Sequence, residues 1–357
     1  MIKSRILGLF LLIVVVFWTP VSTFSQEGGW DNYMAAGRQA LERREFQVAE
    51  EQFSAALLEA ERDGQDNERV ATTLDGQAQL LLAQGRFKEA EPLVLRVLTI
   101  REKALPPEHP DLALSLTTMA AVQLRNQNFT EAEQLATRGV AILKKTVAED
   151  DPRLAAGLNA LGMLYTAQRK FAEAEPFAAR ALIIRLNALP ADHPDVAESI
   201  NNFGILYMIQ KNFEKAEMFL SHALTIRQKV LLANHPDIAE SMSNLGALYT
   251  MNGRHGDAVR YIEQALTIRE KAYGPEHESV GAAMYNLGVL YQIQNRNDEA
   301  ELHYLRALDI RQKQYGDMHP VVAETLENYA VLLHFTGRSE EAMRLQQRAA
   351  AIRAQSQ

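Results

Sequence analysis

The sequence predicts an all-α solenoid of stacked antiparallel helix pairs. Alanine recurs every 42 residues at Ala90, Ala132, Ala174, Ala216, Ala258, Ala300 and Ala342. A second ladder keeps the same step at Ala78, Ala120, Gly162, Gly204, Gly246, Gly288 and Ala330. Small residues at one fixed period mean one supersecondary unit, copied and stacked. Apolar residues flank both ladders at helical spacing, with a short polar turn between them. An array of this kind works through its surface rather than through a buried pocket.

Composition narrows the classes of function. Of 357 residues, 47% are hydrophobic, ample for a folded protein, and the formal net charge is −8. An acidic balance lacks the basic footprint of a nucleic-acid binder and keeps an elongated protein soluble. There is no cysteine, which excludes disulfides, zinc–thiolate sites and thiol nucleophiles. It also suits an oxidising compartment, where a stray thiol is a liability.

Taken in chain order, the N-terminus is separate from the array. Lys3 and Arg5 precede an apolar run from Ile6 to Trp18; Pro20 breaks it, and small residues follow at Val21, Thr23 and Ser25. This is the order of a secretory signal, and the run is short of the ~20 residues that a membrane span needs. The expectation is a signal peptide over 1–25, cleaved after Ser25, with a short linker over 26–29. The destination would then be periplasmic or extracellular. An uncleaved signal anchor is the alternative and the one expected route to a membrane.

The solenoid is expected over 30–357. Copies start near Trp30 and at Ala71, Ala113, Ala155, Ala197, Ala239, Gly281 and Ala323. The first copy is one residue shorter but keeps Gly37, Phe46, Ala49 and Leu57 in place. In the copy from Ala197, Ile200, Phe203, Gly204 and Tyr207 mark a first helix and Lys211 to Phe213 a turn. Ala216, Leu220, Ala223, Leu224 and Ile226 mark a second helix. Gly204 and Ala216 are expected to let the two backbones approach; larger residues there would cost roughly 1–3 kcal/mol.

In the connectors, Pro194, Pro236 and Pro320 suit a first helical turn, where a missing N–H is harmless. Asp195 and Asp237 favour the helix dipole. His109, His193, His235, His277 and His319 lie in different connectors, too far apart to share a zinc ion. They are expected to pack beside the following proline. Arg101, Arg185, Arg227, Arg269, Arg311 and Arg353 form a further ladder, with Glu91, Glu133, Glu175, Glu217 and Glu301 ten residues earlier. Surface ion pairs between stacked helices are the expected role, each contributing roughly 0–1 kcal/mol. In the last copy Gln346 stands where Leu220, Ile262 and Tyr304 stand earlier, so the terminal helix is expected to cap the array.

The residues Leu158, Leu161, Gly162, Tyr165, Ala174 and Ala181 resemble a tetratricopeptide repeat, whose usual period is about 34. The longer step, with Ala-Leu-x-Ile-Arg followed by His-Pro-Asp, is similar to the variant of kinesin light chains and many bacterial proteins. The resemblance spans Trp30 to Gln357 in about eight repeats. It implies a right-handed superhelix whose first helices line a concave face. Positions 2, 5, 6, 9, 12 and 13 of each copy would point into that face.

By the same resemblance, asparagine at position 6 hydrogen-bonds the backbone of a bound peptide. Asn202, Asn244, Asn286 and Asn328 occupy it, and Asn201 and Asn159 stand one residue earlier in their helices. An amide both donates and accepts, which suits backbone recognition; the alternative is that these amides hold neighbouring helices together. Gly76, Thr118 and Ala160 replace them in earlier copies, which would put the peptide over the C-terminal half. Position 2 supplies Glu198, Glu240 and Glu324, and position 5 supplies Ser243, Tyr285 and Glu327, with Arg125 the one basic residue at these positions. The expected ligand is therefore a neutral or basic protein or peptide segment, with apolar contacts to Met163, Ile205, Val289 and Val331. The alternative for the glutamates is a solvated helix start.

No phosphate-binding glycine loop, zinc-protease helix or nucleophile elbow is present. The chain is thus expected to be a non-catalytic, exported interaction scaffold with no cofactor, no metal and no nucleic-acid partner. A self-associating scaffold, or a non-catalytic subunit of a larger envelope enzyme or secretion complex, is the alternative.

Overall fold

The computed structural model describes residues 29–355 apart from Arg44. The expected leader over 1–25, and the linker save Gly29, lie outside the described residues. Among the described residues sixteen α-helices form eight pairs. They are α1 (Trp30–Glu42) with α2 (Phe46–Ala60), α3 (Glu68–Ala83) with α4 (Phe87–Ala104), α5 (Pro110–Arg125) with α6 (Phe129–Thr146), and α7 (Pro152–Ala167) with α8 (Phe171–Ala188). The array continues with α9 (Pro194–Ile209) and α10 (Phe213–Val230), α11 (Pro236–Met251) and α12 (His255–Tyr273), α13 (Glu278–Ile293) and α14 (Asn297–Tyr315), and α15 (Pro320–Phe335) and α16 (Ser339–Gln355). None of these helices is long and apolar enough to cross a membrane.

From the second pair on, each pair reverses through one left-handed residue. After α9 the N–H of Lys211 donates to the Met208 carbonyl (3.0 Å) and that of Asn212 to the Tyr207 carbonyl (2.9 Å), a Schellman closure. The φ angle of Lys211 is 63°, and Gly85, Gln127, Arg169, Gly253, Asn295 and Gly337 hold the equivalent place with positive φ. Five of the following pairs begin at a connector histidine, while Asn67 and Asp151 cap the first helices of the second and fourth pairs. Nδ1 of His193 accepts from the Asp195 N–H at 3.1 Å, and His109, His235, His277 and His319 do the same. These histidines are therefore N-caps that satisfy a free helix donor, a role beyond the packing expected of them.

Within each pair the small residues admit a large side chain from the facing helix. A Cβ at Gly204 would lie 2.5 Å from Leu220 Cγ. Ala216 is fully buried, as expected of a close contact, but the residue that the glycine accommodates is Leu220. The same pocket takes Ile262 at Gly246 and Tyr304 at Gly288. Gln346, their counterpart in α16, is exposed, and α16 buries only Ala342, Ala349 and Ile352. A polar outer face is what a terminal cap requires.

The pairs stack with unequal spacing. Each helix packs on its neighbours in sequence, and odd-numbered helices also touch across the pair between them (α1 on α3, α5 on α7, α7 on α9, α9 on α11, α13 on α15). The odd-numbered helices therefore form the crowded inner wall and the even-numbered ones the outer. The curvature is tight enough for the array to meet itself. Tyr273 Oη donates to the Ala83 carbonyl (2.9 Å), and His277 Nε2 lies 2.9 Å from the Gln84 carbonyl. Tyr273 stacks on Phe46 and on His277. The Lys88 ammonium lies 4.9 Å over the Tyr315 ring, and Tyr315 stacks on His319. This seam joins the turns of the first two repeats to the last two connectors.

Two predictions follow from this packing. For Gly288→Ala, better helix propensity offers about 1 kcal/mol, but the new Cβ would meet the Tyr304 ring at 2.8 Å. Tyr304 is fully buried and anchored to Gln292 at 2.7 Å, so overpacking of roughly 1–3 kcal/mol wins. The variant should unfold at lower urea; an unchanged or higher midpoint would contradict this packing.

The second concerns pH. The Gln84 carbonyl accepts only from Nε2–H, which leaves Nδ1 to accept from Ser279 N–H at 3.1 Å, so the ring is neutral in the seam. Burial pushes its pKa below the ordinary 6.5, with Arg269 and Arg86 adding to the fall and the Gln84 carbonyl and Glu278 opposing it. His319 is pushed down too, by burial and Lys88. A depressed histidine pKa stabilises the seam fully above 6.5; that stability is lost as pH falls through the lowered values. Small-angle scattering should show the molecule expanding on acidification below 6.5, and His277→Gln should blunt the response. A radius of gyration constant across that range would refute the mechanism.

Candidate binding groove

The inner wall is built around buried guanidinium groups. Arg185 (5% exposed) at the end of α8 donates through Nη1 to the Asp195 carbonyl (2.7 Å) and to Ser199 Oγ (2.9 Å) of α9. Arg227 repeats this with Asp237 and Ser241, Arg311 with Val321 and Thr325, and Arg101 with Asp111 and Ser115. Four members of the arginine ladder are thus clamps joining one pair to the next rather than surface ion pairs, whereas Arg353 in the last helix does form an exposed ion pair, with Glu327. The glutamates ten residues earlier do not pair with the ladder. Glu133, Glu175 and Glu217 accept from the hydroxyls of Tyr165, Tyr207 and Tyr249 in the following pair at 2.8–3.0 Å. Glu301 likewise accepts from Tyr329 and is held by Arg338.

Of the residues expected to face a ligand, the glutamates at position 2 belong to these clamps. Glu198 lies 2.9 Å from Arg185, Glu324 3.1 Å from Arg311 and Glu240 3.7 Å from Arg227. Half of the Glu240 side chain is open to the groove, yet enclosure within the superhelix pushes its pKa up, against the pull of Arg227 and Arg269. A lysine at 198 would therefore oppose Arg185 as well as alter the groove. Glu327 at position 5 pairs with Arg353 at 3.1 Å. Tyr285 lies under the Arg311 guanidinium at 4.2 Å, and burial raises its hydroxyl pKa to about 12.

The asparagines divide into two groups. Asn244 Nδ2 donates to the buried Asn201 Oδ1 at 3.0 Å, and Asn328 Nδ2 donates to Tyr285 Oη at 2.7 Å. Asn159, also buried, donates to Ser199 at 3.2 Å. These amides tie neighbouring inner helices together. Asn202 (half-buried) and Asn286 (exposed) make no side-chain hydrogen bond to a described residue. Around them Met163, Ile205 and Val289 are half-buried and Val331 is exposed.

A second recess has no counterpart in the sequence reading. Arg38, Thr72, Asp75, Gln79 and Ala83 of the first two pairs face the connector residues His193, Asp195, Leu231, His235 and Asp237 across a cleft of about 880 Å³. Burial raises the Asp75 pKa, against Arg101 and a hydrogen bond from Gln79 at 2.9 Å. The cleft exists because the array curls; its one visible trace in sequence is the Tyr-Gly pair at 273–274 and 315–316, which the earlier connectors lack. Among the described residues no group of three histidine or acidic side chains is placed to hold a metal ion.

Comparison with known proteins places this geometry. The chain is similar to BtubC (BKLC) from P. vanneervenii, at 25% identity and TM-score 0.53, over 68% of this chain and 92% of that one. It is also similar to a Podosopora anserina protein with nearly identical kinesin-light-chain TPR-like repeats, at 27% identity and TM-score 0.41, over 56% and 94%. The Rap protein solved with competence and sporulation factor shares the fold at 16% identity and TM-score 0.63, over 91% and 98%. No curated protein matches by sequence. The tetratricopeptide repeat model matches in overlapping segments, 69–145, 111–187, 153–229, 195–271, 237–313 and 298–355. With paired helices, small-residue contacts and a repeated inner wall, the chain belongs to the tetratricopeptide repeat family.

Proposed function

We propose that this protein is an exported, non-catalytic interaction scaffold that holds an extended peptide segment of a partner protein along its inner wall. One observation carries the reading: Asn202 and Asn286 are unbonded amides on the same wall, in an array that uses its other inner amides internally. They are two repeats apart, about 20 Å at ordinary helix spacing, which about six residues of extended chain would span. Ile205 and Val289 offer apolar contact beside them. The glutamates that favoured a basic ligand each have an arginine partner, so reading falls to amides and apolar groups, and a neutral stretch of backbone suits both.

The test uses the chain from Gln26 as bait in an envelope extract, beside an Asn202→Ala/Asn286→Ala variant. These side chains have no internal partner, so thermal unfolding should be unchanged while partner recovery falls about tenfold, the loss of one or two hydrogen bonds. Equal recovery by both baits would remove binding from this wall.

Export belongs to the same proposal and rests on the charged, apolar and small-residue order of residues 1–25. N-terminal sequencing of the protein recovered from its native cells should begin at Gln26. A membrane-bound form retaining Met1 would replace cleavage by anchoring.

A further inference from the structure

The clamps provide an internal comparison, because each repeat junction can be set beside the others. Arg185, Arg227 and Arg311 each find a hydroxyl 14 residues on (Ser199, Ser241, Thr325) and a carboxylate 13 residues on (Glu198, Glu240, Glu324). At the junction after α6 the arginine is replaced by Leu143, and the partner positions hold Ala156 and Gly157. There the cation and its partners are missing together.

The junction after α12 differs from both. Arg269 is kept, but Ala282 and Ala283 stand where the carboxylate and hydroxyl belong. Arg269 makes no hydrogen bond or ion pair with a described residue. It is half-buried, and burial pushes its pKa below the ordinary arginine range, with only partial compensation from Tyr273 and Glu240. A second observation lies on the other side. The residue 26 positions before each later arginine sits against its guanidinium, as Tyr285 does for Arg311 (4.2 Å) and Glu327 for Arg353 (3.1 Å). For Arg269 that residue is Ser243, whose hydroxyl is buried without a partner.

Resting on the groove reading above, we propose that Arg269 and Ser243, beside Ala282 and Ala283, form a carboxylate-binding site between the sixth and seventh repeats. An acidic side chain of the bound segment takes the place that Glu198, Glu240 and Glu324 hold at other junctions. The alanines keep the Cβ atoms of the missing pair, so the ligand supplies only the atoms beyond. The guanidinium offers a two-pronged, charge-assisted bond and the serine a third donor. The bound segment is then neutral along its backbone with one acidic residue near Arg269, which reverses the expectation of a basic ligand.

The test compares two capped alanine peptides, one with a central glutamate and one with glutamine in its place. Titration calorimetry gives affinity, and the Nε–Hε resonance of Arg269 reports the site. The glutamate peptide should bind about tenfold more tightly and shift that resonance. Arg269→Gln should abolish the preference. So should Ala282→Glu/Ala283→Ser, which leaves Arg269 in place, supplies the partners found at the neighbouring junctions and should unfold no earlier than the parent. Equal binding of the two peptides, still weakened by Asn202→Ala/Asn286→Ala, would overturn the carboxylate site and leave the groove standing. A glutamate preference that survives Ala282→Glu/Ala283→Ser would also overturn it. Binding of neither peptide would overturn the groove reading and the site with it.

Discussion

A guanidinium taken out of water joins successive pairs in this array. A lone helix pair cannot bury both of its faces, so its stability comes from its neighbours. Arg185 shows how the joint is made: its charge meets a connector carbonyl, a serine hydroxyl and a glutamate, all contributed by the following pair. Removing so large a cation from water is costly unless several acceptors surround it, so the bond pattern fixes the next pair in one register. That register sets how the inner helices crowd, and the crowding sets the curvature. The polar groups on the inner wall that remain unspent are those the clamps do not use.

Curvature then changes the kind of object the array is. A solenoid is approximately one-dimensional, each repeat feeling only its neighbours. Here Tyr273 bonds to Ala83 across 190 residues of sequence and His277 to Gln84 across 193. The second repeat is thereby coupled to the sixth and seventh, and opening the seam exposes the inner wall at both ends of the contact. The connectors that meet earlier turns are the two that carry Tyr-Gly, so the seam is a property of particular side chains as well as of the general fold.

Much of the fold was legible because its cause is local and repeated. The 42-residue step located the helix pairs, the turns and the polar end of the array, and Gln346 is exposed where its counterparts are buried. Pairing was less legible. Glu175 and Arg185 keep a fixed interval, but ten residues along one helix is about 15 Å, and each finds its partner in the next pair, Tyr207 and Ser199. The connector histidines were read as packing, and their ring nitrogens also cap helices. Periodicity also could not separate Asn202 from Asn244, since each has an asparagine 43 residues earlier, and the difference is that Asn201 accepts from Asn244 while Asn159 turns its amide to Ser199. The cleft at Asp75 was invisible for a stronger reason: its walls are more than a hundred residues apart and meet only through curvature.

A periodic array supplies its own controls. Where a position varies freely, substitutions at partner positions should relax together, as Leu143, Ala156 and Gly157 do. An apolar solution to this junction is thus available within the same chain. Arg269 keeps its charge in a place that partly desolvates it and has lost the two groups that would answer it. A half-buried cation with no acceptor on the protein gains less than one held in a complete clamp. Its persistence beside an unbonded, buried serine hydroxyl therefore argues for an acceptor from outside the chain. It also locates that acceptor more narrowly than a row of inner-wall amides could alone, because the amides repeat along the groove and this broken clamp does not.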